Sequence, residues 1–238
     1  MGRSDNNHTR QHAPGRYLGT IASKGRTLLL LCTFCTLTNA SLQFDKLQLT
    51  MSERYGEDGV LILRAWRSAL EEAHHSETRQ QLNTVNDFFN QRLQFTDDIL
   101  LWQQPDYWAT PLETMGVRAG DCEDYVIAKY ISLLQLGIAN EKLRLIYVRA
   151  QRGAAQNHQV QAHMVLGYYA TPDAIPLILD NLVPDIMPAD QRSDLSPVFS
   201  FNSEGLWIGS DLSASDPTSR LSRWRNVMQR MQTEGLTP

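Results

Sequence analysis

Gly120-Asp121-Cys122-Glu123-Asp124 opens the segment GDCEDYVIAKYISLLQLG (120–137), and its reading decides the fold. From Cys122 onward Val126, Ile127, Tyr130, Ile131, Leu133 and Leu134 recur at helical spacing and cover most of the helix surface, so the helix is mostly buried. Gly137 supplies its stop, because glycine accepts the left-handed backbone that ends helices. The thiol therefore lies in the first turn. After Gly137 the period changes to two: LRLIYVRA (143–150), AHMVLGYY (162–169) and PLILDNL (176–182) are strands by their β-branched and aromatic content. A cysteine-bearing helix followed by a sheet predicts an α+β class.

Upstream the spacing is again helical. Leu61, Ile62, Ala65, Trp66, Ala69 and Leu70 mark a helix within Gly59–Ala73, and Leu82, Val85, Phe88, Phe89 and Leu93 mark another over Glu77–Leu93, with Ser76 as its N-cap. A shorter helix starts at Thr96, and the Pro- and Gly-rich stretch 103–120 reads as a loop leading to Cys122. Downstream, Leu206–Ile208 is a short strand, and Asp216-Pro217 begins a helix with Leu221, Trp224, Val227, Met228 and Met231 on one face. No internal repeat or linker divides residues 41–238, which read as one domain.

Residues 1–40 read as an address. Five basic side chains and one acid lie among them, and the apolar run Thr27–Thr38 is too short for a membrane span of ~20 residues. Thr38-Asn39-Ala40 suits a signal peptidase, so cleavage is expected after Ala40; the alternatives are an uncleaved membrane anchor and a start codon chosen too far upstream. The formal charge of the whole chain is −4, and it falls to −8 without the leader. An acidic domain excludes the broad basic footprint that nucleic-acid binding requires. Two of the three cysteines, Cys32 and Cys35, leave with the leader, so Cys122 has no disulfide partner. A lone thiol in an oxidising compartment is a liability unless it does chemistry.

A thiol at a helix start sees unpaired N–H groups and the positive dipole end, which favour the thiolate. Read by itself, a helix-borne Cys is more often a small core residue. His163 and Asp180 change that reading. In a hairpin symmetric about Thr171 and Pro172, position 163 pairs with 180, so Asp180 orients the imidazole toward Cys122. His158 is an adjacent rival for the base. Asp121, Glu123 and Asp124 oppose the thiolate, and a hard cation such as Ca²⁺ held by their oxygens neutralises them. Asn140 adds an oxygen if the chain after Gly137 folds back. The alternative for the acids is a solvated helix start that merely complements the dipole.

GDCEDYVIAKY, KLRLIYV, QAHMVLGYY and PLILDNL, with DYWATPLE (106–113) and FNSEGLW (201–207), resemble the bacterial transglutaminase-like cysteine proteinases over roughly residues 52–209. The resemblance implies a papain/transglutaminase-like fold, N-terminal helices with the Cys-bearing helix packed on an antiparallel sheet that carries His and Asp. It implies Cys122, His163 and Asp180 as the triad, and Asp121, Glu123 and Asp124 as ligands of a Ca²⁺ required for activity. It also implies a periplasmic endopeptidase that cuts a large biofilm adhesin near its N-terminus at a di-alanine site. A cyclic-di-GMP-sensing inner-membrane receptor would sequester it through its periplasmic domain, and the protease itself would bind neither nucleotide nor nucleic acid. The competing readings are a transglutaminase or amidase on the same scaffold, and a non-enzymatic calcium-binding docking module.

Overall fold

The computed structural model describes residues 26–152, 159–209, 211–212 and 221–236, with side chains described from Phe44 onward except those of 152, 211 and 212. Contacts divide the chain into Met1–Ser41 and Leu42–Pro238, and the second unit carries everything below. The leader's apolar run and cleavage point lie outside the described side chains, as do His158 and the expected helix start at Asp216-Pro217. Among the described residues no helix is long and apolar enough to cross a membrane.

Among the described residues the elements follow in the order α1 (Arg26–Ala73), α2 (Thr78–Arg92), β1 (Gln94–Phe95), α3 (Asp98–Leu101), α4 (Pro111–Val117), β2 (Ala119–Gly120), α5 (Cys122–Gln135), β3 (Leu143–Arg152), β4 (Gln159–Tyr168), β5 (Leu177–Leu179), β6 (Met187–Pro188), β7 (Leu195–Phe201), β8 (Leu206–Ile208), β9 (Asp211–Leu212) and α6 (Ser222–Glu234). Helix α1 breaks at Gly56, whose φ of 63° only glycine adopts freely. Seven strands form one antiparallel sheet in the order β6-β5-β4-β3-β7-β8-β9. The expected α+β class, with the Cys-bearing helix on an antiparallel sheet, is what the chain adopts.

Helix α5 is sandwiched between α2 and strands β3 and β4. Ile127, Ile131 and Leu133 are wholly buried against a core that includes Met51, Leu63, Leu82, Phe89, Leu145 and Leu166. Each such side chain contributes roughly 1.5–3 kcal/mol by leaving water. The alternation of the strands sends Ile146, Val148, Val165 and Ile178 to a second, smaller cluster. The helix ends as its sequence requires, with Gly137 at φ 82°.

Three local expectations are corrected. Helix α2 is capped at Glu77, not Ser76, whose N–H instead closes the preceding turn on Ala73 O at 2.9 Å. The stretch 103–120 is not all loop. Thr110 and Glu113 form a reciprocal capping box with Pro111 at the first helical position, which starts α4. The β4–β5 hairpin pairs Leu166 with Leu179 and Tyr168 with Leu177, so position 180 falls opposite 165 rather than 163. Its connection, 169–176, turns through Ala174 N–H to Thr171 O, while Tyr169 N–H bonds Lys142 O outside the hairpin, which moves the centre of symmetry by one residue.

Candidate active site

A cleft of about 460 Å³ opens beside the N-terminus of α5, lined by Cys122, His163, Trp108, Tyr147 and Phe199 among others. Cys122 is the first residue of the helix and half-buried. The Met164 backbone N–H reaches its sulfur, so the strand residue next to His163 touches the thiol. His163, 4% exposed, engages Asp180 Oδ1 through Nε2 at 2.8 Å. The two-residue register offset is even, so His163 and Asp180 keep a common face and meet diagonally. With Nε2 occupied by Asp180, Nδ1 is the nitrogen left to take a proton from the thiol.

Asp180 is heavily buried and richly partnered. Its Oδ1 also accepts from Leu182 N–H at 2.9 Å, and Oδ2 accepts from Arg192 Nη2 at 2.7 Å. Burial alone would raise its carboxyl, but the His163, Leu182 and Arg192 contacts outweigh that and hold it at about 2. Nearby, Lys129 is wholly buried on α5 and donates to Asn86 Oδ1 at 2.8 Å. Burial lowers its ammonium to about 7 against the pull of Asp180 and Asp87.

The other side of the thiol is different. Cys122 Sγ donates to Glu123 Oε2 at 3.0 Å, and burial with the Glu123 and Asp121 carboxylates pushes the thiol well above its ordinary range. The dipole does not win here. Burial, then Glu123, Asp124 and Asp98, drives Asp121 far up, and burial does the same to Asp124. Asp124 accepts from Ala109 N–H at 2.7 Å and from Asp121 N–H at 3.4 Å. Gly120 makes that approach possible, since a Cβ there would stand 2.7 Å from Asp124 Oδ2.

Asp98 is the acid that sequence reasoning missed. The parallel pairing of Gln94 with Ala119 and Phe95 with Gly120 draws the start of α3 against the start of α5. Asp98 Oδ2 accepts from Tyr107 N–H, and burial, with Glu123, Asp106 and Asp97, raises its carboxyl to about 6. Oxygens of Asp98, Asp121 and Asp124 lie within 4.8 Å of one another, as do ligand atoms of Asp121, Cys122 and Glu123. Asp98 Oδ1 and Asp121 Oδ1 are buried with no hydrogen-bond partner among the described residues. Orphaned carboxylate oxygens converging in this way fit a hard cation with oxygen ligands. Asn140 is not among them. It lies beyond the C-terminus of α5, a helix of 14 residues or ~21 Å, and its Oδ1 accepts from the Tyr130 hydroxyl at 2.6 Å. The chain after Gly137 runs into β3 instead of folding back.

Trp108 lines the cleft and is nearly buried, stacked on Phe201 at 5.8 Å with its indole N–H on Asp106. Trp224 is wholly buried in the core, and Trp207 packs under Arg144.

Residues 64–194 match the family model of the bacterial transglutaminase-like cysteine proteinases. Three solved structures of LapG from Legionella pneumophila are similar to the chain at 37% identity over 79% of its length. The EGTA-treated form is covered over 97% of its own chain with a TM-score of 0.68. The structure titled LapG alone is covered over 97% at 0.66, and the calcium-bound form over 98% at 0.66. No curated protein sequence matches the chain.

Proposed function

The chain belongs to the bacterial transglutaminase-like cysteine proteinases, and from that premise we propose a calcium-dependent endopeptidase in which Cys122 attacks, His163 moves the proton and Asp180 orients the imidazole. The observation that carries this reading is the His163 Nε2–Asp180 bond in a cleft shared with Cys122, which leaves Nδ1 for the thiol. The thiol proton passes to Nδ1 as sulfur bonds to the scissile carbonyl carbon. The C–N bond then breaks, the amine leaves with that proton, and water hydrolyses the thioester with the same imidazole as base. The helix start offers the Cys122 backbone N–H to the developing oxyanion.

Asp98, Asp121 and Asp124, with Glu123 beside them, would hold a cation, and Ca²⁺ is the ion favoured by these carboxylate oxygens and by the calcium-bound LapG structure. Bound there, it supplies positive charge that offsets the carboxylates beside the thiol. Glu123 would then compete less for the hydrogen bond of the thiol, and the helix start would favour the thiolate.

The substrate is a large surface adhesin cut near its N-terminus between two alanines. The leader directs the protein to the periplasm, where the periplasmic domain of an inner-membrane, cyclic-di-GMP-sensing receptor sequesters it. The family resemblance of GDCED, AHMVL and LDN supports these three points. Residues 41–238, incubated with an Ala-Ala peptide in Ca²⁺ and in EGTA and read by intact mass, test the reading. Two fragments meeting at the alanines, formed only in Ca²⁺ and not by Cys122→Ala, are expected. Cross-linked product, equal turnover in EGTA, or cleavage by Cys122→Ala would overturn it.

A further inference from the structure

We propose that Arg192 is a positioning residue of this site: its buried guanidinium fixes the second oxygen of Asp180, so that the first stays on His163 Nε2 and Nδ1 is left for the thiol. The inference rests on the protease reading above and adds a fourth side chain to it.

The two Asp180 oxygens are not equally held. Oδ1 has two donors, His163 Nε2 and Leu182 N–H, whereas Arg192 Nη2, at 2.7 Å, is the donor the described residues offer to Oδ2. Without it, that oxygen is buried and unpartnered, and the carboxylate is held through Oδ1 alone, so its plane can turn about that one anchored oxygen. A carboxylate that can turn no longer fixes one ring orientation. The backbone of Asp180 is pinned separately, since its carbonyl accepts from Asn90 Nδ2 at 2.8 Å, so loss of Arg192 frees the carboxylate rather than the strand end.

Arg192 is itself rigid. It is 3% exposed, and Asp194 grips it from outside through Nε at 2.9 Å and Nη2 at 2.8 Å. Its backbone N–H bonds Ala189 O at 3.1 Å, and its carbonyl accepts from Leu195 N–H at 3.0 Å. The sheet order explains why an arginine from this segment reaches the site. Strand β6 is one edge of the sheet and β7 lies on the far side of β3, so 189–194 must cross β5, β4 and β3. Arg192 sits in that crossover. The chain Asp194–Arg192–Asp180–His163 thus runs from a half-exposed carboxylate to the base.

A planar guanidinium is suited to this task because it orients as well as attracts, which an ammonium does not. The test compares Arg192→Met, Arg192→Lys, Asp194→Ala, Asp180→Asn and the double variant Asp180→Asn/Arg192→Met, with the Ala-Ala peptide as substrate and saturating Ca²⁺. Arg192→Met is expected to lower kcat about 100-fold with KM within about twofold, as a small misplacement of a reacting group does. Arg192→Lys recovers part of that loss. In the Asp180→Asn background Arg192→Met removes nothing further, because it acts through Asp180. The downfield Nε2–H proton signal of His163 is present in wild type and in Cys122→Ala, and it is lost in Cys122→Ala/Arg192→Met.

Equal kcat in Arg192→Met, additive losses in the double variant, or an unchanged imidazole signal would each sink the proposal. Should Arg192→Met not fold, Asp194→Ala removes only the outer grip and decides by the same readouts, with a smaller kcat loss expected and no loss overturning it. The imidazole signal does not depend on turnover. A failed protease assay with an Arg192-dependent signal therefore refutes the protease reading and not the brace.

Discussion

Asp180 and Asp121 are both buried aspartates within the same site, yet burial is outweighed at the first and left standing at the second. Asp180 has Arg192, His163 and a backbone N–H around its two oxygens and is held at about 2. Asp121 has Glu123, Asp124 and Asp98 for neighbours, one orphaned oxygen, and a carboxyl driven far up. The difference lies in where the positive charge comes from. On the imidazole side the chain carries its own guanidinium, so the base is permanently oriented. On the thiol side the neighbours of Asp121 are acids, and the offsetting charge is left to a cation from solution. Orientation is thus built in, while activation of the nucleophile depends on the surroundings.

One substitution, Asp→Asn, applied at both positions separates the two sides. At Asp180 it removes the charge of a buried ion pair and turns one accepting oxygen into a donor, so activity is expected to fall by ~10⁴ through the wrong imidazole tautomer and stability by about 3–5 kcal/mol, read by kinetics and denaturant unfolding. At Asp121 the signs divide. Calcium-dependent cleavage drops by roughly 10- to 100-fold, but the EGTA-treated protein melts at a higher temperature than wild type at pH 7, because the fold no longer has to keep a buried carboxyl protonated among acids. A lower melting temperature there would mean that Asp121 has a counter-charge after all.

The pH dependence follows from Asp98, whose carboxyl is raised to about 6 from an ordinary 3.8. The folded state then holds the proton more tightly than the unfolded chain, so metal-free stability declines as pH climbs from about 4 to 6. A bound cation favours the ionised form. The melting-temperature gain from Ca²⁺ is therefore expected to grow across the same window, and a gain independent of pH would remove Asp98 from the site. Smallest of all, Asn140→Ala should cost ~1 kcal/mol by removing the acceptor of the Tyr130 hydroxyl. It should leave the calcium response of cleavage unchanged.

What could be read beforehand divides along physical lines. Period and capping act within a few residues, so the Cys122 helix, its stop at Gly137 and the strands carrying His163 and Asp180 were legible in the sequence. The Thr110–Glu113 box was legible too, but the density of Pro and Gly around it reads as loop. Asp98 was not legible, because two residues of parallel pairing bring it to Asp121 and such a short ladder leaves no period. The hairpin register was missed by two because its connection carries hydrogen bonds that do not cross it. Arg192 was hidden for the same reason as Asp98. Its place depends on a crossover of the sheet order, which no local pattern encodes.

That crossover also sets a timetable. In a chain emerging N-terminus first, Cys122 precedes its distant guanidinium by 70 residues, and Arg192 lies just before β7, which pairs with β3 across the sheet. Long-range strand pairing of this kind is the slow part of assembly. A partly refolded molecule thus holds a thiol whose base is not yet braced, so on refolding the return of cleavage is expected to lag behind the return of helix.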